Sequence, residues 1–176
     1  MRIRRLWVAL AILSVPAVAS ADGHRAGIFS AYSAAKGSVL QGAHFNVDYA
    51  GNDPNAKVFA AMVDYSVHDG KGFKRHTFSG GLSVSRRFTH PRFKEFVVGG
   101  QALAGRVWGD GSADWAGTFG GSLERVVWVP TTASGKPVEI APKVQTDWIV
   151  RSGQAKSFWR VSTGIVVRIP KGKRGP

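Results

Sequence analysis

Phe158-Trp159-Arg160-Val161-Ser162-Thr163-Gly164-Ile165-Val166-Val167-Arg168-Ile169 is the stretch that decides the fold. Within it Trp159, Val161, Thr163, Ile165, Val167 and Ile169 alternate with Arg160, Ser162, Gly164 and Arg168. Successive side chains of a β-strand point to opposite faces, so this period of two sets an apolar ladder against a charged and hydroxylated one. A strand patterned in this way separates two unlike environments.

Working outward, the same division recurs. Val138, Ile140, Val144, Thr146 and Trp148 stand against Glu139, Lys143, Gln145 and Asp147; Phe78, Leu82, Val84 and Phe88 stand against Thr77, Ser79, Ser83, Ser85 and Arg87. Further back, Ala43, Phe45, Val47 and Tyr49 oppose Gly42, His44, Asn46 and Asp48. No segment beyond Asp22 keeps an apolar face at helical spacing for long. The pattern predicts strands over 27–34, 39–50, 57–67, 73–88, 92–108, 113–128, 138–151 and 157–169. Between them fall Gly, Asn, Asp and Pro clusters, among them Asp69-Gly70, Asp53-Pro54, Asp110-Gly111 and Ser152-Gly153, which supply the backbone conformations of tight turns. The expected fold is all-β, an eight-stranded antiparallel up-and-down barrel.

The start of the chain reads differently. Met1-Arg2-Ile3-Arg4-Arg5, the apolar run Leu6 to Val18, and Ala19-Ser20-Ala21 have the three parts of a secretory signal peptide, predicted over 1–21. Its removal leaves 176 − 21 = 155 residues, enough for one domain, and lowers the formal charge from +13 to +10 by loss of three arginines. No later run is long and apolar enough for a transmembrane helix, so a membrane-spanning product would have to be a barrel. The absence of cysteine excludes disulfides, thiolate catalysis and cysteine metal sites. The positive charge of an exported chain meets lipopolysaccharide phosphates and anionic headgroups, and nucleic acid is not an expected partner.

Alternation alone fits a soluble sandwich or a lipocalin-like periplasmic carrier equally well, with its apolar face inward. Two features favour the inverted, membrane arrangement. Most of the proposed strands reach the roughly 9–11 residues that a tilted strand needs to cross a bilayer. With the first strand rising from the periplasm, Tyr32, Tyr65, Trp108, Trp115, Trp148 and Trp159 gather at one rim and Tyr49 and Trp128 at the other, as two aromatic girdles would. Trp128 sits on the polar alternation of its strand. The polar faces then line the lumen, with Asp48, Asp64, Glu95, Glu124, Glu139 and Asp147 as its acids and Arg87, Lys143, Arg160 and Arg168 as its cations. Eight strands enclose a bore that side chains fill, so a plugged interior is expected. Arg86, Arg106 and Arg125 face outward near strand ends, where a cation reaches the headgroups at little cost.

From about Arg92 to Ile169 the chain resembles the bacterial outer-membrane β-barrel domain family, among the OmpA-like small barrels. The residues carrying the resemblance are the Phe96 to Arg106 strand, Pro142-Lys143-Val144-Gln145-Thr146-Asp147-Trp148, and the last strand. The resemblance implies an outer-membrane location, an eight-stranded barrel domain over 22–169, and recognition by the barrel-assembly machinery through the final strand. Ser162, Gly164, Val167 and Ile169 fit that assembly signal, with two departures: Ile169 stands where an aromatic is usual, and a basic tail, 170–176, follows. The resemblance implies no catalytic residues.

Chemistry is thinly signalled. A lipid-A-modifying acyl hydrolase needs a serine, a histidine and an acid together near the headgroups. Ser66 and His68 share a face beside a turn, while His76 and Ser79 point to opposite sides of one strand. The five histidines lack metal-ligand spacing, and Gly99-Gly100 and Gly120-Gly121 lack the lysine and helix of a phosphate loop. No cofactor, metal or catalytic site is expected. The expected role is structural or envelope-maintaining, with outer-membrane lipid and lipopolysaccharide as partners; a lipid-modifying enzyme or a surface ligand-binding barrel are the alternatives.

Overall fold

The structure is a computed structural model that describes residues 24–35, 38–50, 58–70, 72–109, 111, 113–131, 135, 137–153 and 156–168. The signal segment 1–21, Ile169 and the tail 170–176 lie outside the described residues, as do the side chains of Asp48 and Tyr49.

Eight strands run in order: β1 (His24–Ala35), β2 (Ser38–Ala50), β3 (Val58–Gly70), β4 (Phe73–Arg87), β5 (Phe96–Trp108), β6 (Ala113–Arg125), β7 (Glu139–Arg151) and β8 (Phe158–Arg168). Each pairs with its sequence neighbour, and β1 pairs antiparallel with β8 to close the barrel. Closure removes every free sheet edge, the condition for a β-structure to sit in hydrocarbon. Strands of 11 to 15 residues are long enough to cross a bilayer at a tilt.

The two faces divide as the alternation predicts. Phe59, Phe78, Leu82, Trp115, Phe119, Val144, Trp159 and Ile165 point outward and are at least half exposed, whereas Asp64, Ser66, Thr77, Thr118, Asp147, Arg160 and Ser162 are wholly buried. A soluble carrier would have the opposite arrangement, so the lipocalin-like alternative does not describe this molecule.

Four strands differ from their predicted spans by three residues or more: β1 begins at His24, not Gly27, and β3 ends at Gly70, not Val67, while β5 and β6 are shorter than expected. β5 starts at Phe96, not Arg92, because the chain after Pro91 makes consecutive turns in which the amide of Phe93 donates to His90 O and that of Phe96 to Phe93 O, both at 2.9 Å. β6 ends at Arg125, not Trp128. Beyond it the amides of Val127 and Trp128 both donate to the carbonyl of Ile140, at 3.0 and 3.4 Å. Two residues facing one is a β-bulge, and the extra residue shifts the alternation by one. Trp128 therefore leaves the polar face and stands 62% exposed.

Glycine has a packing role at Gly164, which pairs with Phe29 across the β1–β8 closure. A Cβ there would come within 2.6 Å of the Phe29 Cα, so only hydrogen lets the closing strands approach. Gly100 and Gly121 face each other in mid-strand on β5 and β6, in the wall and not in a phosphate loop.

Candidate functional site: a charged, closed lumen

The barrel interior is stacked in three levels. At the rim where β1 begins and β8 ends, Glu124 accepts from Arg25 (2.8 Å) and Arg168 (2.6 Å), with Lys143 at 3.6 Å. Beside it Glu139 accepts from Arg87 (2.6 Å) and Arg168 (2.8 Å). These bonds tie β1 to β6, β6 to β8 and β4 to β7, joining strands that are not sheet neighbours.

The middle level is built around Arg160, which has no solvent exposure. Its Nη1 donates to Asp64 Oδ1 (2.8 Å) and Ser66 Oγ (2.9 Å), and its Nη2 donates to Asp147 Oδ2 (2.7 Å). Asp147 also accepts from Gln101 (2.7 Å) and Gln145 (3.0 Å). Asp64 is hydrogen-bonded to His44 Nε2, and His44 Nδ1 lies 3.0 Å from Ser162 Oγ. One guanidinium from β8 thus bridges carboxylates on β3 and β7. Charge-assisted pairs of this kind make a buried, charged centre tolerable where an unpaired ion would not be.

The third level, toward the short hairpins, is partly apolar. Val107, Ala116, Ile149 and Phe158 form a buried cluster, and the Arg75 guanidinium lies 4.1 Å from the centre of the Phe158 ring. Arg151 Nη2 donates to Asp114 at 2.6 Å. Elsewhere in the interior, Ser33, His68, Thr77 and Thr118 hold buried polar atoms without a hydrogen-bond partner.

Of the residues predicted to line the lumen, Asp64, Arg87, Glu124, Glu139, Lys143, Asp147, Arg160 and Arg168 point inward and take part in these pairs. Glu95 does not. It lies in the turn between β4 and β5, exposed on the outside, where it accepts from Arg125 Nε at 3.2 Å. The turns after Pro91 take it off the strand's alternation. His44 lies on the inward face, as its place on the polar alternation of β2 implied, though no partner was assigned to it; sequence reasoning missed Arg25, Asp114 and Arg151. Arg151 shares the parity of Asp147 on β7 and was legible there; Arg25 was hidden because β1 begins three residues earlier than the pattern suggested.

On the outer wall Trp108, Trp115, Trp148, Trp159, Tyr32 and Tyr65 lie toward the hairpin rim. Trp148 and Trp159 meet at 5.0 Å between ring centres, Trp108 stacks on His76 at 5.3 Å, and the Tyr65 hydroxyl is 2.9 Å from His76 Nδ1. The positions expected to form an assembly signal divide by face: Ser162 and Gly164 point inward, and Val167 is half-buried on the outer face.

Ser162, His44 and Asp64 are linked in the order hydroxyl, imidazole, carboxylate, as in a hydrolase triad. Its surroundings differ from those of an open hydrolase site. Ser162 is wholly buried, and Asp64 is already engaged by Arg160. A nucleophile must meet its substrate, and this hydroxyl is buried on the inward face of β8, away from the outer wall. Ser66 and His68 are equally enclosed, while His76 faces outward against Trp108. Among the described residues no group of His, Asp and Glu is arranged to hold a metal ion.

A closed, up-and-down, eight-stranded barrel with an apolar outer wall and a polar, filled interior has the fold of the small outer-membrane β-barrels. Among solved structures, Neisserial surface protein A (NspA) is similar with a TM-score of 0.59 at 13% identity, over 83% of this chain and 94% of that one. Ail, the attachment invasion locus protein of Yersinia pestis, aligns over 85% of this chain and 99% of its own at 9% identity, with a TM-score of 0.43 that is too low to bear on the fold. No family model and no curated protein matches the sequence.

Proposed function

We propose that this chain is an integral outer-membrane protein with a structural or envelope-maintaining role, non-catalytic, delivered by the barrel-assembly machinery and surrounded by outer-membrane lipid and lipopolysaccharide. The observation that carries this reading is Arg160, held with no solvent exposure between Asp64 and Asp147 on opposite walls of the lumen. That cross-brace occupies the bore where a channel would need water, and it stiffens the barrel. The apolar outer wall supports a bilayer setting, because exposed patches of this extent on a soluble monomer would drive association.

The test is in two parts. The full chain, refolded into lipid vesicles, is expected to migrate differently on a gel before and after boiling, and to give no ion conductance in planar bilayers. Steady conductance would sink the plugged-lumen reading; monodisperse behaviour in detergent-free buffer would sink the membrane reading.

A further inference from the structure

The two ends of this barrel are unequal. At one end the connections are short: 36–37, 71–72, 109–112 and 152–157. At the other, where β1 begins and β8 ends, they run over 51–57, 88–95 and 126–138. Small outer-membrane barrels usually carry their longer loops at the outer surface and short turns at the periplasm. Here the elaborated end is the one from which the first strand rises.

That end is also basic on its outside. Arg86, Arg92, Lys94 and Arg125 are exposed there, and among the described residues of this rim Glu95 is the exposed acid. The hairpin rim also exposes cations, Lys74, Arg106 and Lys156, of which Lys74 has Asp69 at 4.0 Å; what sets the terminal rim apart is that its cations sit on a turn built of aromatic rings.

The basic rim has a defined shape. In the turn 88–95, Phe93 packs between His90 (5.7 Å), Phe88 (6.4 Å) and Phe96 (6.3 Å). The Arg125 guanidinium lies 5.6 Å from the centre of the Phe96 ring while it holds Glu95. The amide of Phe88 donates to Phe96 O, and that of Val126 to Glu95 O, so the turn is fastened to both neighbouring strands. Trp128 stands exposed on the next connection.

We propose that this rim is a docking face for anionic phospholipid headgroups in the leaflet at the terminal end of the barrel, with Arg92 and Lys94 as its principal phosphate contacts. The inference rests on the membrane reading given above. Cations beside aromatic rings, on a surface continuous with the apolar wall, match a ligand that has a negative head directly above a hydrocarbon chain. A peptidoglycan strand carries acids but no acyl chain, and would leave Phe93 and Trp128 uncovered by anything apolar.

The full chain is refolded into phosphatidylcholine vesicles with and without phosphatidylglycerol, and the partition of spin-labelled phosphatidylglycerol against spin-labelled phosphatidylcholine at the protein boundary is measured. The wild type is expected to enrich phosphatidylglycerol. The variant Arg92→Ala/Lys94→Ala is expected to lose roughly tenfold of that preference, and Lys74→Ala/Lys156→Ala, which removes the same charge at the other rim, to keep it. Equal loss in both variants, no preference in the wild type, or competition by soluble peptidoglycan fragments would each overturn the proposal. Failure to insert into either vesicle would overturn the membrane reading and this proposal together; insertion without lipid preference would overturn this proposal alone.

Discussion

The outer wall and the lumen of this barrel are made by the same eight strands, yet they place different demands on sequence. Outside, Phe78, Leu82, Phe119 and Ile165 are each exposed on the apolar wall, where any side chain of similar greasiness serves. Inside, Arg160 needs Asp64, Ser66 and Asp147 at bonding distance from two other strands. One face is specified by composition and the other by pairing. Substitutions on the two faces are therefore expected to separate cleanly in size.

The largest effect is expected at Arg160. Arg160→Met leaves Asp64 and Asp147 buried without their cation, and removing one partner of a buried pair costs about 3–5 kcal/mol. Urea unfolding in vesicles, compared with Asp69→Ala at the exposed hairpin rim, measures this. Equal midpoints for the two variants would mean that the lumen is hydrated and the cross-brace contributes little.

Next in size is a charge placed on the other face. Phe119 sits at the centre of β6 and is 54% exposed on the outer wall. Phe119→Arg is expected to cost about 2–4 kcal/mol in a bilayer, falling toward zero for a cation near the rims. The measurement that sharpens the comparison is the same substitution at Val98, near the start of β5, which is expected to be milder. Equal costs at both depths would argue that the wall is not spanning hydrocarbon.

Gly164→Ala follows. The added methyl meets the β1 backbone at the closing seam, and overpacking of this kind costs about 1–3 kcal/mol. Because Gly164 also belongs to the predicted assembly signal, folding into pure lipid vesicles isolates the packing cost from any effect on biogenesis.

How much of this was legible in the sequence follows the same division. The outer wall was readable, since a period of two in β7 and β8 gives the face of Trp148 or Ile165 without knowing any partner. The inward parity of Asp64, Asp147 and Arg160 was equally readable. Their mutual contacts were not, because which residues meet across the bore depends on the stagger of strands around the barrel, and no single strand encodes it. The link from Ser162 through His44 to Asp64 crosses β8, β2 and β3, and belongs to that unreadable class. The misplacement of Glu95 and the irregular alternation at Trp128 have local causes. Both lie where alternation is interrupted, in one case by turns after Pro91 and in the other by the bulge opposite Ile140.

The smallest expected effect has the opposite sign and tests the comparison from within the lumen. Thr77 is wholly buried on the inward face of β4, and its hydroxyl has no hydrogen-bond partner. Thr77→Val keeps the branched shape and replaces that hydroxyl with a methyl group. Exchanging an unsatisfied buried polar group for an apolar one of the same shape is close to neutral or stabilising, by up to about 1 kcal/mol. Pairing, not polarity as such, then determines which lumen residues matter: Arg160→Met is costly because its partners are lost, and Thr77→Val is harmless because there were none to lose. A destabilisation of Thr77→Val comparable to that of Arg160→Met would show the interior to be a continuous hydrogen-bonded network reaching this hydroxyl, and the distinction between satisfied and unsatisfied levels of the lumen would fall.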